Sequence, residues 1–292
     1  MKLSPFEIHR PGTLADASRL LVDLGDEAVA INGGTELLLT MKLGLAHYAH
    51  LVDLKRVAEL RRLAHDGARL SIGAGMTHRE LETSAEVARV LPAMAGMLRN
   101  VANVRVRSVG TLGGNLCFAD PHSDPATYLA AMGAVLVCGD GRSSRTVPAE
   151  HFVLGPYETV LESGELLVGV EIPLPAAGQV VGAAHVRMKT HERPTVTVAA
   201  KIGLANGTVS FARVAVGSVC GVPAVPDSLE ALLGAVPAQW GERVADCAAA
   251  TAAAIEPFAD ADGSVPYKRA LVEVFVRRGL AEALAAASSA AS

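Results

Sequence analysis

Two short stretches carry the residue types most able to do chemistry: Asn32-Gly33-Gly34-Thr35 and, about eighty residues later, Thr111-Leu112-Gly113-Gly114-Asn115. Glycine admits positive φ and lets another group approach the backbone. Consecutive glycines after a strand therefore leave several N–H groups pointing one way, a concave site for an anion. A helix that starts directly after such a break adds partial positive charge. Phosphate is the natural occupant, and two such loops suggest the two phosphates of one pyrophosphate. Read singly, either Gly-Gly is also an ordinary tight turn. The recurrence with similar polar flanks is what points to a ligand. The fingerprint G-x-G-x-x-G is absent at both breaks, and Gly73-Ala74-Gly75 carries only its first half, so a nicotinamide-binding Rossmann domain is not expected.

Directly after the second loop, residues 117–125 place Asp120 and Asp124 where a carboxylate can accept hydrogen bonds from a ribose or ribityl hydroxyl. Each aspartate also precedes a proline and so reads as a turn starter, an alternative that weighs more on Asp120 than on Asp124. His122 reads as a loop residue, and Cys117 as packing, because no activating neighbour is evident. No Ser-His-Asp set or carboxylate pair is found, and no catalytic residue is predicted. The four cysteines form no C-x-x-C pair, and the nine histidines form no H-x-x-x-H or H-E-x-x-H arrangement. Local spacing thus predicts no iron–sulfur cluster and no metal ligands, and the thiols are expected free and buried.

The elements that must position these residues follow from apolar periodicity. Thr13 caps a helix over 14–24, "EAVAIN" is a short buried strand that breaks at the first glycine pair, a helix resumes through Leu37, Leu38 and Met41, and "AHLVDL" is a second strand. This forms a first lobe over about 1–55. In a second lobe over about 56–177, "LSIGAG" leads into a helix capped by Thr77, whose Glu80 completes a capping box. The strands "AVLVCG" and "ELLVGVEIP" follow the second loop. Pro173, Pro175 and Gly178 mark a boundary near residue 177. Beyond it, over 178–292, alternation and Asn206-Gly207 predict an antiparallel sheet with a tight hairpin. Two helical stretches are expected to close the chain, "SLEALLGAV" with its continuation and "YKRALVEVFVRRGLAEALAAA", the latter with Leu271, Val274 and Phe275 on one face and a frayed end after it.

Composition limits the partners. The chain has 292 residues, 50% of them hydrophobic, enough for a large divided core. Its 26 basic and 30 acidic residues are mixed along the chain, which offers no basic face for nucleic acid or anionic lipid. No segment reaches the roughly 18 to 20 uncharged apolar residues of a membrane span, and no signal peptide is seen. A soluble, cytoplasmic protein is expected.

These motifs, together with "FEIHRPGTLADA", "LVDLKRVAEL" and the closing helix, resemble in order and spacing the FAD-binding medium subunits of molybdenum hydroxylases, the xanthine dehydrogenase and carbon monoxide dehydrogenase family. The resemblance implies an α+β fold: a two-lobed FAD-binding domain of the PCMH/vanillyl-alcohol-oxidase type, then a C-terminal α+β domain. It implies noncovalent FAD held by Ala30, Ile31, Asn32, Gly33, Gly34, Thr35, Glu36 and Leu37, chiefly through main-chain N–H groups, and by Thr111, Leu112, Gly113, Gly114 and Asn115. It further implies Asp124 on the sugar hydroxyls, Leu167 against the cofactor, and Lys189 near the flavin end. The expected role is electron transfer, taking electrons from a small iron–sulfur subunit served by a large molybdenum-cofactor subunit, in a dimer of heterotrimers. Around residues 189–196 the chain departs from the family, with a shorter loop and Pro194-Thr195 in place of an acidic residue. That departure bears either on access of the electron acceptor or only on the compactness of the turn. The inserted iron–sulfur cluster of the 4-hydroxybenzoyl-CoA reductase branch is not expected, given the cysteine spacing. Alternatives in the same fold are a self-contained flavoenzyme and a scaffold that has lost FAD.

Overall fold

The structure is a computed structural model that describes residues 3–189 and 193–291. In the first lobe, β1 (Glu7–His9), α1 (Leu14–Leu24), β2 (Ala28–Ile31), α2 (Leu37–Lys42) and β3 (His50–Asp53) build a parallel sheet of order β1-β3-β2. Thr13 caps α1 by accepting the Asp16 N–H, and Gly25 ends the helix at a φ of 56°. Ile31, Met41 and Leu51 form a small core of their own. Because the strands are parallel, the chain leaves β2 at the carboxyl edge of the sheet, where ligands of open parallel sheets bind.

The second lobe comprises β4 (Leu63–His65), β5 (Arg69–Gly73), α3 (His78–Thr83), α4 (Ala85–Val90), α5 (Pro92–Arg99), α6 (Val104–Arg107), α7 (Leu112–Phe118), α8 (Asp124–Met132), β6 (Val135–Gly139), β7 (Ser144–Pro148), β8 (Val153–Gly155), β9 (Glu158–Thr159) and β10 (Leu166–Pro173). Five strands form an antiparallel sheet of order β4-β5-β10-β6-β7. The capping box at α3 forms as the sequence predicts, with Thr77 accepting the Glu80 N–H and Glu80 accepting the Thr77 N–H. Every residue of α8 is buried.

The third unit is the antiparallel sheet of β11 (Val180–Arg187), β12 (Thr197–Ala205) and β13 (Thr208–Gly217), covered by α9 (Trp240–Ala254) and α10 (Val265–Ala291). Asn206 and Gly207 take φ of 51° and 77°, the positive values a two-residue hairpin requires. A Cβ on Gly182 would lie 2.0 Å from the Ala283 carbonyl, so its absence lets α10 press onto β11. The open face of the sheet takes α8: Arg213 and Lys201 donate to the Ala130 and Met132 carbonyls, and Gly217 makes room for Thr127.

Three local expectations change. "SLEALLGAV" is not an α-helix beyond a 3₁₀ turn at Glu230–Leu232. Gly234 adopts a φ of 73°, and Val209 exchanges backbone hydrogen bonds with Gly234 and Ala235, which draws the segment onto β13. The buried stripe of α10 runs through Val272, Phe275, Val276 and Leu280, leaving Leu271 and Val274 at its margin. The end of α10 is helical through Ala291, because Ala287 is fully buried against Gly182. Among the described residues, no helix is long and apolar enough to cross a membrane.

Candidate functional site

The two glycine loops meet. A Cβ on Gly33 would fall 2.2 Å from the Val109 carbonyl oxygen and 2.8 Å from Gly110 Cα, so only glycine lets the first loop lie on the chain that enters the second. Gly34 follows with φ 69°. A cleft of ≈ 270 Å³ opens between the loops, bounded on one side by residues 29–37 and on the other by Thr111, Gly114 and Asn115.

The loops differ in how they use their backbone. Among the described residues, none of the hydrogen bonds found is donated by the N–H groups of Asn32, Gly33, Gly34, Thr35, Glu36 or Leu37. Six successive donors therefore remain for an acceptor in the cleft. The second segment is not a loop but the cap and first turn of α7, and it spends its donors within the protein: Leu112 N–H on the Met76 carbonyl (2.9 Å), Gly113 on Ala74 (2.9 Å), Gly114 on Thr111 Oγ1 (3.0 Å) and Asn115 on the Thr111 carbonyl (3.0 Å). The expected equivalence of the two breaks is corrected accordingly. Gly113 is required for packing, since its Cβ would stand 2.6 Å from Ala74 Cβ. Leu112 is fully buried below the cleft.

The cleft continues in both directions. One end is an apolar chamber of ≈ 70 Å³ reached past Ala30, Ile31 and Thr111 and walled by Leu54, Leu60, Ala74 and Leu167. The other end, ≈ 230 Å³, shares Glu36, Asn115 and Phe118 with the cleft and is charged, with Asp120, Asp124, Arg187 and Arg193. Asp124 Oδ2 accepts from Arg187 Nη1 at 2.6 Å, and His185 Nε2 lies 3.3 Å from Oδ1. Oδ1 is buried without a hydrogen-bond partner. Ser123, not Asp124, caps α8. Asp120 accepts from the His122 N–H at 2.9 Å, as a turn starter does, and pairs with Arg193 at 2.8 Å. Burial works against ionisation of Asp120, but the bonds from His122 and the Arg193 charge outweigh it and hold the carboxyl below its usual range.

Lys189 pairs with Asp262 and is not among the residues lining the cleft or its two extensions. Part of the departing loop, residues 190–192, lies outside the described residues. Cys117 lines the cleft, but burial pushes its thiol up to about 12, which suits packing and not reactivity.

Among the titratable side chains that line the cleft and its extensions, sequence reasoning missed three: His78, Arg187 and Arg193. His78 is 3% exposed, its Nδ1 has no hydrogen-bond partner, and burial followed by the Arg107 charge holds the imidazole down to about 4. Arg187 had a faint signal, because His185 and Arg187 alternate onto one face of β11. Only the strand pairing shows that this face meets α8.

Residues 4–175 match the family described as the FAD binding domain in molybdopterin dehydrogenase, and residues 184–283 match the CO dehydrogenase flavoprotein C-terminal domain. The chain is 34% identical over 281 residues to the carbon monoxide dehydrogenase medium chain of Hydrogenophaga pseudoflava, covering 94% of this chain and 96% of the relative. It is 36% identical over 220 residues to the xanthine dehydrogenase FAD-binding subunit of Escherichia coli O157:H7, covering 74% of each. A chain of the solved carbon monoxide dehydrogenase from Hydrogenophaga pseudoflava, in the form lacking the Mo-pyranopterin moiety of the molybdenum cofactor, superposes with a TM-score of 0.92 at 35% identity. That superposition covers 98% of this chain and 99% of the other. The α+β architecture expected from the sequence is thus the architecture of these proteins.

Proposed function

The chain belongs to the FAD-binding medium subunits of molybdenum hydroxylases, and from that premise we propose that it is the electron-transfer subunit of such an enzyme. Electrons arrive from the iron–sulfur clusters of a small partner subunit, fed by a large molybdenum-cofactor subunit, and leave to NAD, oxygen or another acceptor. The assembly is a cytoplasmic dimer of heterotrimers. FAD, bound noncovalently, supplies the redox chemistry, while the protein binds, orients and shields it.

The residues fit that group. Asn32 to Leu37 present unspent N–H groups to a diphosphate, which needs main-chain donors on several oxygens. Thr111, Gly114 and Asn115 form the facing wall, with the Gly113 contact holding it in place. Asp124 Oδ1, buried with no hydrogen bond made and only the His185 ring 3.3 Å away, is an acceptor for a sugar or ribityl hydroxyl. Leu167 lines the apolar chamber at the other end. Lys189, which the resemblance sets near the flavin end, pairs with Asp262 and does not line the cleft.

The observation that carries the reading is the run of six uncommitted N–H groups in a segment that lines the cleft opposite Thr111, Gly114 and Asn115. The test is to purify the chain alone and record its visible spectrum. It is then mixed, without oxygen, with the dithionite-reduced and desalted iron–sulfur subunit of the proposed complex. The expected result is a yellow protein, inert to substrates alone, whose flavin band bleaches on mixing. A colourless chain points to a scaffold, and unaided turnover of a substrate to an independent enzyme. Either result overturns the proposal.

A further inference from the structure

Away from the cleft, the geometry points to a binding site for a divalent transition-metal cation on the first lobe, formed by Glu7, His9 and His50. Parallel pairing sets Glu7 opposite His50, and alternation along β1 puts Glu7 and His9 on one face of the sheet. His9 Nε2 lies 3.1 Å from His50 Nδ1, and His50 Nδ1 lies 3.7 Å from Glu7 Oε2. All three ligand atoms fall within 4.8 Å of one another. Ligands about 2.0–2.2 Å from one tetrahedral ion stand roughly 3.3 Å apart. The two nitrogens already hold that spacing, and the carboxylate of Glu7, with 66% of its side chain exposed, is free to close the third side.

The ring nitrogens face each other, so one must donate and the other accept. A cation replaces the proton between them: the donor ring releases that proton to solvent and takes one up at its other nitrogen. Both lone pairs then bind metal. Two imidazoles with one carboxylate suit Zn²⁺, Co²⁺, Ni²⁺ or Cu²⁺ and disfavour Mg²⁺ and Ca²⁺. The remaining coordination positions open to solvent. A second grouping, His122 with Asp260 and Asp262, carries no such argument, because Lys268 and Lys189 already occupy its carboxylates.

Glu7 and His50 stand at the amino ends of their strands and His9 one step on, level with Val52, and none of the three lines the cleft or its two extensions. Metal binding is therefore separable from FAD binding. Local spacing in the sequence could not reveal it, since His9 and His50 are 41 residues apart and meet only through strand pairing.

The full-length, FAD-loaded, chelator-treated and desalted chain is titrated with zinc sulfate by calorimetry and with cobalt chloride by visible spectroscopy. The expected result is one saturable equivalent, a cobalt d–d band, and a rise in the unfolding midpoint with zinc. His9→Gln, His50→Gln and Glu7→Gln each weaken binding by about tenfold or more, at unchanged FAD content. Absence of saturable binding in the unmodified chain overturns the proposal, as does affinity unchanged across the folded variants. Glu7→Gln alters an exposed side chain, so it decides the matter even where a histidine variant fails to fold.

Discussion

Arg187 on β11 donates to Asp124 on α8 at 2.6 Å, with side chains 5% and 4% exposed, which locks the C-terminal sheet to the helix that follows the second loop. Removing one member of a buried pair leaves an uncompensated charge, at a cost of about 3–5 kcal/mol. Asp124→Ala is expected to lose about that much stability in urea unfolding and to be isolated without flavin. Asp124→Asn keeps an acceptor for Arg187 and is expected to fall between. Stability of Asp124→Ala equal to the unmodified chain would show that the pair does not hold the two units together.

Gly33 and Gly12 give opposite expectations for the same substitution. Alanine at 33 would drive Cβ into the Val109 carbonyl, a backbone atom with no room to yield, whereas alanine at 12 meets nothing within 4 Å. Gly33→Ala is expected to cost about 1–3 kcal/mol through overpacking and to lose most of the bound flavin, because the loops must separate. Gly12→Ala is expected to leave both unchanged. The ratio of flavin to protein absorbance after purification measures the difference.

His78 makes stability depend on pH. Its ordinary pKa of 6.5 applies in the unfolded chain, while burial and then Arg107 hold it at about 4 in the folded one. Between those values the unfolded state binds more protons, so stability is full above pH 6.5 and is lost as pH falls toward 4. The loss is on the order of 3 kcal/mol by linkage. His78→Gln is expected to flatten that part of the profile in chemical unfolding at stepped pH. An unchanged slope in the variant would place the titration elsewhere.

The capping box of Thr77 and Glu80 and the Asn206-Gly207 turn were legible in the sequence because their partners lie within three residues of each other. The two glycine loops were legible as segments, since a Gly-Gly after an apolar run is a local signal. Their difference was not. It depends on the Ala74 and Met76 carbonyls, nearly forty residues upstream, which take up the donors of Leu112 and Gly113. The charged end of the cleft was half legible. Asp124 belonged to a motif, but its partner Arg187 comes from a strand 63 residues away whose face is set only by sheet pairing. "SLEALLGAV" had helical spacing and failed as a helix because Val209 offered it backbone hydrogen bonds that local propensity does not register.

Arg193 and Lys189 separate a role read from cleft geometry from one carried by resemblance. Arg193 pairs with Asp120 at 2.8 Å and reaches Glu36 at 3.5 Å, which links the first-loop segment to the turn after α7 across the charged end. Its side chain is 56% exposed, so these pairs contribute under about 1 kcal/mol to folding. A link across a ligand's exit path acts on release instead, where 1 kcal/mol corresponds to about fivefold. Arg193→Ala is therefore expected to fold normally and to release FAD about fivefold faster, followed by the fluorescence gained as FAD dissociates on dilution. Lys189, engaged by Asp262 beside the cleft, is expected on replacement by alanine to change that rate by less than about twofold. The reverse order would mean that Lys189 turns toward the cofactor when it binds, and the role implied by resemblance would displace the one read from the cleft wall.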